Sequence, residues 1–226
     1  MKSHALHRLV GLIVLAAAAA SGLACDSIYY KTMKKFGVEK RDILVTRVRD
    51  AREAQQKGKE EFRSALERFK SVVETDGGTL EEKYNKLNKE LERSEDRAKD
   101  IHERVKKVKD VADDLFDEWD KELGKYQDRQ LRAESERELK ETKRRAQSVI
   151  KAMEAADKRV DPVLQPLRDR VLFLKHNLNA SAIGALDKEL VALRTNVDAL
   201  VADLESSIAE AEAFINQMDA EAKASS

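Results

Sequence analysis

The segment 79–123, TLEEKYNKLNKELERSEDRAKDIHERVKKVKDVADDLFDEWDKEL, decides the fold of this chain. Its apolar and small residues recur in steps of four and three, the spacing that keeps one stripe of a helix against partner helices. The stripe consists of Leu80, Tyr84, Leu87, Leu91, Ser94, Ala98, Ile101, Val105, Val108, Ala112 and Leu115. Thr79 and Glu82 have the spacing of a capping box, which satisfies the first free amides of a helix. The segment therefore predicts a long amphipathic helix that begins at residue 80.

The flanking segments carry the same spacing and predict further helices on both sides. The upstream stripe is Leu44, Val48, Ala51, Gln55, Gly58, Phe62, Ala65, Phe69 and Val72, with Gln55 and Gly58 as its weak points. The downstream stripe is Leu167, Val171, Leu174, Leu178, Leu186, Leu190, Leu193, Val197, Leu200, Leu204, Ile208, Ala211, Ile215 and Met218. Thr75-Asp76-Gly77-Gly78 is a turn signal between the first two helices. The stripes together predict an all-α protein of antiparallel helices.

The two prolines predict where the chain turns back. Both lie within 161–166, and Pro162 after Asp161 suits the start of a helix. We therefore expect elongated antiparallel hairpins, a coiled coil of three long helices whose middle member runs from 80 to 160 over about 120 Å. Residues 44 and 215 would then lie beside 110 and 109, three helices would meet around 98–115, and a two-helix hairpin would close at Pro162.

A bend near Gly124 is the alternative to one unbroken middle helix. The register of the stripe shifts at Trp119 and Leu123, immediately before this glycine. A turn there would fold the chain into a shorter four-helix bundle, and the sequence leaves both arrangements open. The charged stretch 128–145 is interpreted as a solvated helix. Trp119 is expected to be buried in the stripe.

The balance of basic and acidic residues limits which kinds of partner the sequence predicts. Lys plus Arg and Asp plus Glu each number 43, charged residues make up 38% of the chain, and aromatic residues make up 5%. Removal of residues 1–24 would take away two basic residues and no acidic ones, leaving a charge of about −2. This composition is typical of long solvated helices, and it predicts neither a nucleic-acid partner nor a small-molecule substrate.

The amino-terminal residues predict export from the cytoplasm. Lys2 and Arg8 precede an apolar run of 12 residues, 9–20, which leads to Gly22-Leu23-Ala24-Cys25. Such a run is too short to cross a hydrocarbon layer about 30 Å thick as a helix, so it indicates the core of a signal peptide. Cys25 is the single cysteine of the chain.

The residues around Cys25 resemble the lipobox of bacterial lipoproteins, although Gly22 stands where that pattern usually has leucine. The resemblance implies that Cys25 is acylated and becomes the first mature residue, which attaches the protein to a membrane. It also implies location in the bacterial envelope facing the periplasm, with Asp26 favouring retention at the inner membrane. The alternative is an ordinary signal peptide that leaves a free thiol. The predicted organisation is a signal peptide at 1–24, a lipidated tether at 25–40, a helical domain at 41–222 and a tail at 223–226.

Two local features are candidate contact sites. Between residues 29 and 41 the basic side chains alternate with aromatic and apolar ones, which predicts contact with anionic lipid headgroups, and a solvated tether is the alternative. The basic residues of this stretch are Lys31, Lys34, Lys35, Lys40 and Arg41. His176, Asn177 and Asn179 bring polar side chains into a helical run, where they form either a contact for a protein partner or a helix break followed by a new start at Ser181.

Four pieces of the chain resemble a group of uncharacterised proteobacterial helical lipoproteins, classed as a domain of unknown function. They are Tyr29-Tyr30, Lys40-Arg41-Asp42-Ile43-Leu44, Asp114-Leu115-Phe116-Asp117-Glu118-Trp119 and Lys175-His176-Asn177-Leu178-Asn179-Ala180. The resemblance brings no activity with it. Members have been labelled DNA-repair ATPases, but a phosphate-binding loop ends in Gly-Lys-Ser/Thr. In this chain Gly58-Lys59 and Gly124-Lys125 are followed by Glu60 and Tyr126.

The spacing of the histidines argues against the common metal and catalytic motifs. Lys99 and Phe173 stand three residues before His102 and His176, where a di-iron bundle needs glutamate. We therefore predict no catalytic residues, no metal and no cofactor. The expected function is a lipid-anchored scaffold, spacer or adaptor with a protein partner or self-association. A helical module that binds lipid or peptide is the first alternative, and a cytoplasmic coiled coil associated with nucleic acid is the second.

Overall fold

The computed structural model describes residues 40–74, 77–177 and 190–224, and these residues form four α-helices. They are α1 (Lys40–Glu74), α2 (Leu80–Leu123), α3 (Arg129–His176) and α4 (Leu190–Ala224). The all-α class is therefore confirmed. The chain divides into two compact units, Met1–Ile43 and Leu44–Ser226. Of the first unit the structure describes only 40–43, the first turn of α1.

Ion pairs between helices define the order of the bundle. They are Asp50–Arg104 and Arg68–Glu90 (α1 with α2), Lys109–Glu154 and Glu95–Arg168 (α2 with α3), Arg145–Glu221 and Arg159–Asp203 (α3 with α4), and Arg49–Asp219 and Arg63–Glu205 (α1 with α4). In every set the residue numbers rise along one helix and fall along the other, so neighbouring helices are antiparallel. Residues 44–226 thus contain an up-down-up-down four-helix bundle in which α1 lies between α2 and α4.

The expectation of three long helices with a turn at 161–166 is wrong, and the alternative of a turn near Gly124 that gives a four-helix bundle is confirmed. α2 ends at Leu123, and α3 starts at Arg129 because the Asp128 carboxylate accepts hydrogen bonds from the amides of Gln130 (2.7 Å) and Leu131 (3.1 Å). α3 then continues through Pro162 and Pro166.

Both prolines are exposed, so their rings and missing N–H groups lie on the solvent side of α3. The buried stripe of α3 passes them without interruption, through Val160, Val163 and Leu164. The predicted three-helix zone is wrong for the same reason: α4 packs beside α3 and α1, and Glu221 lies near Arg145 rather than near residue 109.

The predicted stripes form the core of the bundle. All of the α1 stripe is buried except Val72, whose place is taken by Val73. Gly58 has a clear packing role, since a Cβ atom there would lie 2.5 Å from Cδ1 of the fully buried Ile101. The glycine therefore lets α1 approach α2 closely.

The glycine turn and the capping box predicted between α1 and α2 are also confirmed. Gly77 and Gly78 have φ of 109° and 75°, a region that favours glycine. The Glu82 amide donates to Thr79 Oγ1 at 3.1 Å, and the Thr79 amide donates to Glu82 Oε2 at 2.9 Å. These two bonds are the predicted capping box.

Net charge alternates in sign around the bundle. The basic and acidic residues number ten and seven in α1, 11 and 15 in α2, 13 and eight in α3, and two and seven in α4. Each helix thus has neighbours of opposite sign, and helices of like sign lie across the diagonal. An exposed pair contributes only about 0–1 kcal/mol, so the alternation acts mainly by disfavouring other helix orders.

Candidate functional surfaces

A buried polar pair joins α1 to α4 in the middle of the core. Ser207 Oγ donates to Gln55 Oε1 at 2.7 Å, and both residues are fully buried. The Gln55 Nε2 group has no hydrogen-bond partner among the residues that the structure describes. Because a misplaced α4 would leave both side chains unpaired, the pair favours one alignment of the two helices.

An apolar cavity lies between the four helices near the end of the bundle where α3 ends and α4 begins. Its volume is about 20 Å³, and its wall includes Phe62, Phe69, Leu87, Ser94, Val163, Val171, Leu193 and Val197. Ser94 is buried, and its Oγ has no hydrogen-bond partner within the described part of the chain. A void of this size holds about one water molecule. An acyl chain would need the helices to separate.

The groove between α2 and α3 is lined by paired charges. His102 Nδ1 lies 3.0 Å from Asp157 Oδ2, and Arg168 Nε donates to Glu95 Oε1 at 2.7 Å. The hydrogen bond that Arg168 donates to Glu95 raises the pKa of the Arg168 guanidinium above its ordinary value, with a further contribution from Asp161. Over residues 40–74, 77–177 and 190–224, no three His, Cys, Asp or Glu side chains are grouped so that they could hold a metal ion.

The hairpin formed by α2 and α3 projects beyond the other two helices. α2 continues for 19 residues past Arg104, while α1, paired there through Asp50, continues for ten residues on the same side, so α2 extends about 14 Å past the start of α1. At the Arg145–Glu221 pair, 16 residues of α3 lie on the tip side but only three of α4 do, so the hairpin extends about 20 Å past the end of α4. We call residues 119–135 the hairpin tip.

The hairpin tip is ordered by local bonds and is poorly buried. Trp119 is only half-buried, so the expectation that it is buried in the stripe is not met, and its Nε1 donates to Ser135 Oγ at 2.9 Å across the two legs. From 124 to 138 every residue is exposed except Ser135. Tyr126 and Leu131 retain 41% and 54% of their accessible surface. Tyr126 in the turn between the helices and Leu131 in the first turn of α3 therefore expose apolar side chains to solvent.

Most of the sequence-predicted membrane residues fall outside the described structure. Cys25, Asp26, Lys31, Lys34 and Lys35 lie in the undescribed stretch 1–39. Lys40 and Arg41 lie in the first turn of α1. The roles of these residues stay predictions.

The second predicted contact site lies at the end of α3. His176 is the last residue of this helix and is exposed. Asn177 caps the helix end, where its Nδ2 donates to the Phe173 carbonyl at 3.0 Å. This ending agrees with the helix-break interpretation, while Asn179 and Ser181 lie outside the described residues. Contact with a partner stays a prediction.

Two features of the structure escaped the sequence reasoning. The exposure of Tyr126 and Leu131 follows from the turn at 124–128, and the N-cap residue Asp128 was the signal that could have located it. The partnership of Gln55 with Ser207 had no signal, because 152 positions separate the two residues.

A comparison with known protein families assigns the chain to a class without an established activity. Residues 29–218 match the family described as "Protein of unknown function (DUF2959)", and the chain belongs to this family. No curated protein and no solved structure matches it significantly. Among the described residues, no helix is long and apolar enough to cross a membrane.

Proposed function

We propose that the protein is a lipid-anchored protein of the bacterial cell envelope whose helical bundle serves as a non-catalytic scaffold, spacer or adaptor. The proposed anchor is an acylated Cys25, which follows a signal-like apolar run. More than one acyl chain would make the attachment effectively permanent, because each buried methylene contributes about 0.8 kcal/mol. The proposed location is the periplasmic side of the inner membrane, favoured by Asp26.

The observation that supports the scaffold role best is that the side chains of the bundle pack and pair with one another and leave little internal space. The cross-helix charges are paired, the stripes face one another, and the interhelical cavity near Ser94 is only about 20 Å³. A bundle with this interior holds a fixed shape, which is what a spacer or adaptor requires.

A helical module that binds lipid or peptide is the second candidate, and the cavity with the unpartnered Ser94 hydroxyl favours it. The volume argues against a ligand larger than one water molecule unless α1 and α3 move apart. Lipid that co-purifies with the protein would support this candidate. A stable protein partner would support the scaffold.

The anchor is tested by mass spectrometry of the mature protein from its native host. Acylation predicts an amino-terminal Cys25 that carries several acyl chains, and Cys25→Ala should leave an unprocessed precursor. A mature protein with a bare thiol, released freely into the periplasm, would contradict the proposal. Crosslinking in intact cells, followed by identification of the captured protein, tests the scaffold role.

A further inference from the structure

We propose that the hairpin tip is a membrane-contact surface, in which Tyr126 and Leu131 enter the headgroup region of an anionic phospholipid bilayer. This inference rests on the anchor proposed at Cys25 and adds a second point of contact. In this arrangement the bundle stands end-on to the bilayer, and its sides stay available for protein partners.

The exposed apolar side chains single out the hairpin tip. Large hydrophobic residues that are exposed in the described structure occur at its two ends: Tyr126, Leu131, Leu172, Phe173 and Val191. The last three flank 178–189, which the structure does not describe, so their exposure carries no argument. Tyr126 and Leu131 lie within the continuous stretch 77–177, where the neighbouring chain is fully described.

The composition of the loop fits a bilayer interface. Tyrosine is enriched at headgroup level, because its ring is apolar and its hydroxyl is polar. Arg129 and Arg132 are exposed beside Tyr126 and Leu131, and such side chains attract anionic headgroups. Lys125 adds a further positive charge, although it also lies 3.6 Å from Glu122. The carboxylate of Asp128 is occupied as the cap of α3.

Acidic residues on the α2 leg limit how deep this contact can go. Asp113, Asp114, Asp117 and Asp120 are all exposed on the part of α2 that leads to the tip. Anionic headgroups repel these carboxylates, and burial of a charge in hydrocarbon is costly. Contact is therefore confined to the loop and its flanking turns.

The amino-terminal part of α1 lies toward the end of the bundle that carries the hairpin tip. The Asp50–Arg104 pair shows that the amino-terminal part of α1 runs beside the part of α2 that leads to the tip. The 14 residues between Cys25 and Lys40 can span at most about 50 Å. This reach exceeds the distance of about 14 Å by which α2 extends past the start of α1. The distal end, with Phe173, would face away from the membrane.

The test uses a single tryptophan as a reporter in the full-length acylated protein. Trp119 is the only tryptophan of the chain, so Trp119→Phe removes the background fluorescence, and every reporter is placed in this same background because it also lacks the bond to Ser135. Tyr126→Trp places the reporter on the hairpin tip, and Phe173→Trp is the matched control at the opposite end. Leu131→Trp is a second reporter in case Tyr126→Trp fails to fold, and circular dichroism checks each variant.

The proteins are reconstituted into vesicles of two parts phosphatidylcholine and one part phosphatidylglycerol, with or without brominated acyl chains. Flotation reports the anchor, and bromine quenching reports the depth of the tryptophan. We expect quenching of the Tyr126→Trp reporter to exceed that of Phe173→Trp by at least about twofold. Vesicles of phosphatidylcholine alone should reduce the difference.

Each other outcome overturns the inference in a recognisable way. Proteins that float but show equal quenching, or none, at both positions would refute the contact at the hairpin tip while the anchor stands. Proteins that fail to float and lack acyl mass would refute the anchor, and the tip contact with it. A photocrosslinker at position 126 that captures one envelope protein, without lipid quenching, would assign the tip to a protein partner instead.

Discussion

The body of the bundle and the hairpin tip share α2 and α3, but the same helices are in different surroundings. In the body, α1 and α4 cover the stripes, and residues such as Ile101 and Leu164 are fully buried. At the tip only two helices remain, so the hairpin buries Leu123 and Leu139 but leaves Tyr126 and Leu131 exposed. Stability therefore resides in the four-helix part, while the apolar surface available for contact lies at the hairpin tip, beyond the ends of α1 and α4.

The largest expected difference between the two regions concerns leucine truncation. Leu204→Ala removes a fully buried side chain of the body and should lower the free energy of unfolding by about 2–5 kcal/mol. Leu131→Ala, at a 54% exposed position of the tip, should change it by less than about 0.5 kcal/mol. Urea unfolding followed by circular dichroism measures both. Similar losses at the two positions would contradict the claim that stability resides in the four-helix body.

Glycine replacements should also differ in their effect on stability between the body and the hairpin tip. Gly58→Leu places a side chain against Ile101 and should cost about 1–3 kcal/mol, because the interior is already close-packed. Gly124→Leu at the tip should be nearly neutral, since a Cβ there lies 3.6 Å from the nearest atom, the Lys121 carbonyl oxygen. Adding Ile101→Ala to Gly58→Leu should restore part of the loss. A neutral Gly58→Leu would show that α1 and α2 are not in close contact.

The buried pair of the body has a double-mutant signature. Ser207→Ala leaves the Gln55 carboxamide buried without its hydrogen-bond donor and should cost about 1–3 kcal/mol in unfolding free energy. Gln55→Leu added to Ser207→Ala should recover most of this loss, because no polar group then stays unpaired. Losses that simply add would contradict the pairing.

A mutation in the hairpin tip should have a smaller and local effect. Trp119→Phe removes the hydrogen bond to Ser135, which is worth about 0.5–1.5 kcal/mol. Amide hydrogen exchange should become faster between 119 and 135 and stay unchanged in α4. Faster exchange throughout the chain would mean that the tip and the body unfold as one unit.

The smallest effect concerns acid stability at a fully exposed pair. The hydrogen bond and charge of Lys57 lower the pKa of Glu53 below its ordinary value. A group with a lowered folded pKa stabilises the protein above its unfolded pKa, and this contribution is lost as the pH falls through the folded value. Glu53→Gln should therefore slightly weaken the acid dependence of the urea midpoint between pH 7 and pH 3. An unchanged dependence would show that the pair contributes nothing.

The sequence predicted the helical stripes and caps well because they depend on local spacing. Thr79 and Gly77 have the predicted roles, and most stripe residues within the described part of the chain are buried. It left open whether the chain turns near Gly124 or at Pro162, because both places carry a local signal for a turn. Proline interrupts a helix only where its missing bond and its ring cannot be accommodated, and on the solvent face of α3 they are.

The order of the helices and the partners of the buried polar groups could not be read locally. Gln55 looked like a defect of the α1 stripe until α4 placed Ser207 beside it. The alternation of net charge is visible only after the helix bounds are known. The hairpin tip was missed for a related reason. Residues 124–132 form an exposed surface only because α2 and α3 extend past the ends of α1 and α4.

Hydrogen–deuterium exchange of the acylated protein, compared between detergent micelles and anionic vesicles, tests most directly the claim that the bundle is a self-contained support and its hairpin tip the contact surface. We expect slower exchange in vesicles for residues within 119–135 and no change along the sides of α1 and α4. Protection along those sides, or around Phe173 with none at the tip, would contradict it.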